Sequence, residues 1–255
     1  MYGESVAGRR EDAQIHAVAD AGAGLVQVAF RVSPAFASSY TRVGQYVQVT
    51  VGGSNAYFAL SCSPGDAVWT LLVRPRGVVA EALALANVGE VFSVTEPLGS
   101  GFDWDRTLDA NVFVVVAGTG FAIAPPILQA RIEEGVGDRT ALLLGTDGSV
   151  PLASLLGQMA RQGGISIALC VPFPERSASS QVVPFSQTSA DLETALASRL
   201  ETLRRSETKQ QRRRVCVFAA GPEALLAALQ DLVRAENDRA GASSSAPWCE
   251  LLLNA

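Results

Sequence analysis

Apolar and polar positions along the chain change rhythm near its middle. In the first half, short β-branched and aromatic runs are separated by turn residues, which predicts six strands over 13–20, 25–32, 46–51, 58–61, 68–73 and 91–95. The Ala-, Leu- and Glu-rich stretch 78–86, bounded by Gly77 and Gly89, predicts one short helix among them. Strands so spaced predict an antiparallel six-stranded β-barrel. In the second half, the apolar runs 111–117, 140–144, 165–171 and 214–219 alternate with helical spacing over 126–134, 152–161, 192–205 and 223–235. That alternation predicts an α/β domain with a mostly parallel sheet and helices on both faces, and 248–253 can supply an edge strand. The polar stretch 103–110 marks the boundary. The expected organisation is a tail over 1–12, a barrel over 13–105 and an α/β domain over 106–255.

The chain of 255 residues is long enough for two modest domains. Apolar residues make up 48% and charged residues 18%, which excludes bulk disorder. The net charge of -5 would repel a phosphate backbone, so nucleic acid is not an expected partner. The apolar stretch 112–130 carries Gly118, Gly120, Pro125 and Pro126, which would break a spanning helix. It reads as a buried strand, a glycine turn and a helix start, and the chain is not expected to be transmembrane. The first twelve residues lack the apolar core of a secretory signal, which leaves a removed organelle peptide open. Cys62, Cys170, Cys216 and Cys249 show no metal-ligand spacing and read as reduced buried thiols. A soluble protein of a reducing compartment is expected, whether cytosol, plastid stroma or mitochondrial matrix. With His16 as the single histidine, a Ser-His-Asp or Cys-His triad and a multi-histidine zinc site fall away. No catalytic side chain or metal ligand is assigned. The Ser- and Pro-rich stretch 172–189 and the basic run 207–214, with Lys209, Arg212, Arg213 and Arg214, read as a loop insertion and a solvated helix end, or as a docking patch.

The chemistry is concentrated at glycine corners. A strand that enters a helix through Gly118-Thr119-Gly120 brings main-chain N–H groups and the positive end of a helix dipole toward a diphosphate. The alternative is a tight turn without a ligand. Gly221-Pro222 ends another strand on what should be the same carboxyl edge, where open parallel sheets bind ligands. Gly145-Thr146-Asp147-Gly148 ends a third and presents an acid there, or only a turn-forming Asp-Gly.

Four stretches in order carry a resemblance: Arg42-Val43-Gly44-Gln45-Tyr46-Val47, Glu96-Pro97-Leu98-Gly99-Ser100-Gly101-Phe102, Val115-Val116-Ala117-Gly118-Thr119-Gly120, and Val215-Cys216-Val217-Phe218-Ala219-Ala220-Gly221-Pro222. Together they resemble the ferredoxin-NADP reductase superfamily, in which a flavin-binding barrel precedes a pyridine-nucleotide domain. The resemblance implies FAD, or FMN, on the barrel and NAD(H) or NADP(H) on the α/β domain. Matching the family's Arg-x-Tyr-Ser flavin stretch to Ala56, Tyr57, Phe58 and Ala59 puts Ala56 at the arginine, Phe58 at the stacking tyrosine and Ala59 at the serine. The glycine-rich turn that opens the short helix becomes Gly77-Val78-Val79-Ala80, with amides but no hydroxyl. Each lost charge-assisted bond would cost roughly 1.5 to 3 kcal/mol. Arg74 and Arg76, just before this turn, either restore the charge or are exposed arginines on a strand end. The nucleotide side comprises Gly118, Thr119, Gly120, Gly145, Asp147, Gly221 and Pro222, and Asp147, where NADP-specific members often have arginine, implies NAD(H).

Two functions follow from the resemblance. One is a flavin-dependent oxidoreductase passing hydride or electrons between NAD(P)H and an unidentified acceptor. The other is a non-catalytic scaffold or accessory subunit of a larger complex, a pseudoenzyme with a degraded flavin site. Both imply a protein partner. A small-ligand sensor using only the nucleotide crevice is a third class.

Overall fold

The computed structural model describes residues 8–107, 109–146, 149–170, 186–188, 191–206, 213–241 and 247–253. The chain divides into two compact units, the first ending at Gly101 and the second beginning at Phe102. The expectations for Asp147, for Val171, for 172–185 and Ser189 of the Ser- and Pro-rich stretch, and for 207–212 lie outside the described residues, while 186–188 of that stretch, expected as loop, form a short strand.

The first unit contains β1 (Arg10–Gly22), β2 (Leu25–Arg31), α1 (Pro34–Ser39), β3 (Tyr46–Val51), β4 (Ser54–Ala59), β5 (Val68–Val73), α2 (Val78–Ala84) and β6 (Val91–Thr95). The strands form an antiparallel sheet in the order β4-β3-β6-β1-β2-β5. A bridge between Leu60 and Leu71, with Ser61 N donating to Thr70 O at 2.8 Å, joins its ends into a barrel. Inward residues Val28, Phe30, Val47, Val49, Trp69, Leu71 and Val94 make the core, and Val79 and Leu83 of α2 close one end. β1 begins at Arg10, inside the stretch assigned to a tail, because residues 10–14 pair with β6. β4 starts four residues earlier than its sequence suggests. Gly52 and Gly53, at φ 56° and 81°, turn the chain so tightly that Ser54 already pairs with Val51. Helix α1 was not expected, although its signal is present: the Ser33 hydroxyl caps the Phe36 N–H at 3.3 Å and Pro34 opens the first turn.

The second unit contains β7 (Asn111–Ala117), α3 (Ala124–Glu133), β8 (Thr140–Gly145), α4 (Ala153–Gly163), β9 (Ser166–Cys170), β10 (Ser186–Thr188), α5 (Leu192–Ser206), β11 (Val215–Ala220), α6 (Glu223–Ala240) and β12 (Cys249–Leu253). Every strand pair is parallel, in the order β10-β9-β8-β7-β11-β12. Phe113, Val115, Leu143, Val215 and Val217 face α5 and α6. On the other face, buried Arg131 of α3 donates to Thr107 O at 3.0 Å, Ala110 O at 3.0 Å and Thr140 Oγ1 at 3.2 Å, tying α3 to the approach to β7 and the start of β8. Cys170, Cys216 and Cys249 are buried and Cys62 is half-buried. Among the described residues no helix is long and apolar enough to cross a membrane.

Candidate functional site

The first two motif stretches are structural and belong to one another. Gln45, buried at the lead-in to β3, accepts the N–H groups of Thr41 and Arg42 on Oε1, each at 3.0 Å, and donates Nε2 to Gly99 O at 3.1 Å. Tyr46 and Leu98 exchange main-chain bonds of 3.2 and 2.7 Å beside it. Gly101, at φ 64°, has room for no side chain, since a Cβ would lie 2.5 Å from Arg42 Cβ and 2.9 Å from Val43 O. The chain leaves the barrel at this clasp.

The flavin stretch sits on β4, whose faces are set by its pairing with β3. Val47 and Val49 are core residues, and they oppose Phe58 and Ala56. Phe58 and Ala56 therefore point into the barrel. Tyr46, Gln48 and Thr50 point outward and oppose Ala59, Tyr57 and Asn55. An inward Phe58 has no face to offer a ligand outside, so the outward residues of this stretch are Asn55 and Tyr57, two residues apart. Tyr57 is 50% exposed, its ring sits edge-on to Tyr46 at 5.8 Å, and its hydroxyl accepts from Gln48 Nε2 at 2.8 Å. Such a ring is free on one face and fixed in direction, as a planar ligand needs. Asn55 is exposed and brings no charge. The missed signal was β3 itself: its clean alternation and the two-glycine turn together fix which β4 residues look outward.

At the opening of α2, Gly77 has φ 88° and open space where a side chain would be. Its N–H donates to the Glu81 carboxylate at 3.2 Å, so one amide of this turn is already occupied by an acid. Val78 is exposed, whereas Val79 and Ala80 are buried against the barrel end. Arg74 is half-buried and Arg76 exposed at the end of β5.

The glycine corners of the second unit meet. After β7 the chain forms a 3-10 turn over Gly118–Ile123 that runs into α3, and among the described residues no side chain caps its amides. Gly118 (φ 58°) and Thr119 are exposed, and a Cβ on Gly118 would meet nothing. Gly120 is the opposite case. A Cβ there would press into the Ala220 carbonyl and come 2.8 Å from Gly221 N, so the two corners touch main chain to main chain. They flank the junction of β7 and β11, where the strand order reverses and open α/β sheets bind ligands. Gly221 lies against Ala117 and Leu225, and Pro222 is exposed at the cap of α6. At the end of β8, a Cβ on Gly145 would come 2.8 Å from Leu192 Cδ1, so α5 covers that corner. The Asp191 carboxylate, held below the usual range by the Thr194 N–H it accepts at 2.7 Å, caps α5 there.

An antiparallel barrel followed by this parallel sheet is the ferredoxin-reductase-like fold. Known proteins agree. The chain superposes on the cytochrome P450 reductase GcoB of Amycolatopsis with a TM-score of 0.67 at 19% identity, over 97% of this chain and 71% of that one. For a ferredoxin NADP+ reductase of Neisseria gonorrhoeae, solved with bound FAD and NADP, the TM-score is 0.64 at 13% identity, over 96% and 99%. In sequence, it is 27% identical over 104 residues to the sulfhydrogenase 2 subunit gamma of Pyrococcus furiosus, covering 40% of this chain and 36% of that subunit. No protein-family model matches.

Proposed function

We propose that the chain is a flavin-dependent oxidoreductase that passes reducing equivalents between NAD(P)H and an acceptor on another protein. The observation that carries this is the pair of glycine corners converging at the strand-order reversal, with Gly118 open in a left-handed conformation and the first amides of the turn uncapped by side chains. Gly118 and Thr119 would take the nucleotide diphosphate on these amides, and Gly221 and Pro222 would border the nicotinamide side. Asp147 beyond β8 favours NADH, because an acid repels a 2′-phosphate. Tyr57 would present its ring to the isoalloxazine, with Ala59 beside it on the same face. When bound, the flavin supplies hydride acceptance and electron release; the protein binds, orients and tunes. The similar proteins, among them a P450 reductase and a sulfhydrogenase subunit, support an acceptor on a partner.

The test is reconstitution of the purified full chain with FAD or FMN, followed by anaerobic titration with NADH and NADPH. Stoichiometric flavin uptake and bleaching by NADH are expected. A colourless chain that takes up neither flavin refutes the reading. It would favour the scaffold alternative, which draws on two observations: an uncharged Asn55 on the outer face of β4 and the Glu81 carboxylate on the Gly77 amide.

A further inference from the structure

One row of outward positions crosses four strands of the barrel: Arg10 on β1, Thr95 on β6, Gln48 on β3 and Tyr57 on β4. The Arg10 guanidinium lies along this row. Its Nη1 donates to Thr50 Oγ1 at 2.7 Å and its Nη2 to Gln48 Oε1. The same Gln48 amide donates through Nε2 to the Tyr57 hydroxyl at 2.8 Å, so one side chain orients both the cation and the ring. Thr50 Oγ1 in turn donates to Asn55 Oδ1 at 2.5 Å, which links the guanidinium to the uncharged β4 position.

Among the described residues no carboxylate neutralises the charge of Arg10. Both of its acceptors are neutral amide or hydroxyl oxygens. The neighbouring acid Glu96 is taken by Arg9, whose Nε donates to it at 2.9 Å, and that hydrogen bond holds the Glu96 carboxyl below its usual range. Asp12 shares the outer face opposite Ser93 but makes no ion pair with Arg10, and among the described residues no other carboxylate does. A cation held by neutral acceptors and coupled to a half-exposed aromatic ring suits a planar aromatic ligand that carries an anion.

We infer that Arg10 is the flavin-phosphate anchor of this chain, supplying from the first strand the charge that Asn55 does not supply on β4. The inference rests on the flavin reading above. Riboflavin, FMN and FAD are titrated into the full chain and followed by quenching of flavin fluorescence. Wild type is expected to bind FMN more tightly than riboflavin, with a preference that shrinks as salt is raised. Arg10→Gln is expected to weaken FMN and FAD binding about tenfold and to leave riboflavin binding unchanged. Arg74→Gln, the competing cation, is expected to leave the FMN preference intact.

Equal losses for riboflavin and FMN in Arg10→Gln overturn the anchor and make Arg10 a structural brace. So does an unchanged FMN affinity, or loss of the preference in Arg74→Gln alone. If Arg10→Gln does not fold, the wild-type salt titration decides, and an FMN preference indifferent to salt overturns the anchor. A wild-type chain that binds none of the three removes the flavin reading itself, a result distinct from failure of Arg10 alone.

Discussion

Gly120→Ala tests the convergence of the two corners directly. The added methyl would enter the Ala220 carbonyl and stand 2.8 Å from Gly221 N, and both obstacles are main chain of a buried strand end rather than a pliable side chain. Normal contact is restored only if the turn after β7 and the end of β11 move apart by about 1 Å. Overpacking of this kind costs about 1 to 3 kcal/mol, and the rigid obstacle puts Gly120 at the upper end. Gly118→Ala is the matched control. Its methyl meets nothing, and only the left-handed backbone, at φ 58°, is penalised, by about 1 kcal/mol. Urea unfolding monitored by tryptophan emission should show a midpoint fall for Gly120→Ala about twice or more that of Gly118→Ala, at constant slope. NADH affinity, read by fluorescence, should fall at least tenfold in Gly120→Ala, because the diphosphate cradle would no longer hold its shape. If Gly120→Ala is as stable as wild type, or less damaging than Gly118→Ala, the corners do not meet as described.

Three further outcomes rest on the same structure. Tyr57→Ala should weaken flavin binding at least tenfold with little change in stability, whereas Phe58→Ala should lose about 2 kcal/mol of barrel stability and keep its flavin; the reverse pattern would refute the strand register. Arg131→Met would strand the carbonyls of Thr107 and Ala110 and should cost about 3 to 5 kcal/mol, lowering the thermal midpoint by roughly 10 °C; a loss under about 1 kcal/mol would contradict the buried network. Burial pushes the Cys62 thiol up to about 12 from 9.0, so it should resist alkylation at pH 8. Its contribution to stability is present below pH 9.0 and is lost as pH rises toward about 12, since the unfolded thiol ionises first. Cys62→Ala should flatten that part of the pH–stability curve, and an unchanged curve would refute the assignment.

Local pattern located most of the elements. The period of two in the first half and the alternation of apolar strands with amphipathic helices in the second fall where β1–β3, β5–β9, β11 and β12 are found. Glycine corners also announced themselves, because a left-handed turn such as Gly118 or Gly77 leaves a residue type behind. β10, three residues long, left no such trace. Arg10 offered none either. On a sequence it is one charge in a polar stretch, and it becomes part of a row with Gln48 and Tyr57 only when β1 pairs with β6 and β6 with β3.

What the amino-acid order determined by itself was the kind of each segment, since strand, helix and turn preferences act over a few neighbouring residues. Which face of β4 looks outward was decided by tertiary structure alone. Ala56-Tyr57-Phe58-Ala59 sets an aromatic and an alanine on either face, so its own alternation is ambiguous. Only pairing with Val47 and Val49, which are committed to the barrel core, turns Phe58 inward and leaves Tyr57 exposed.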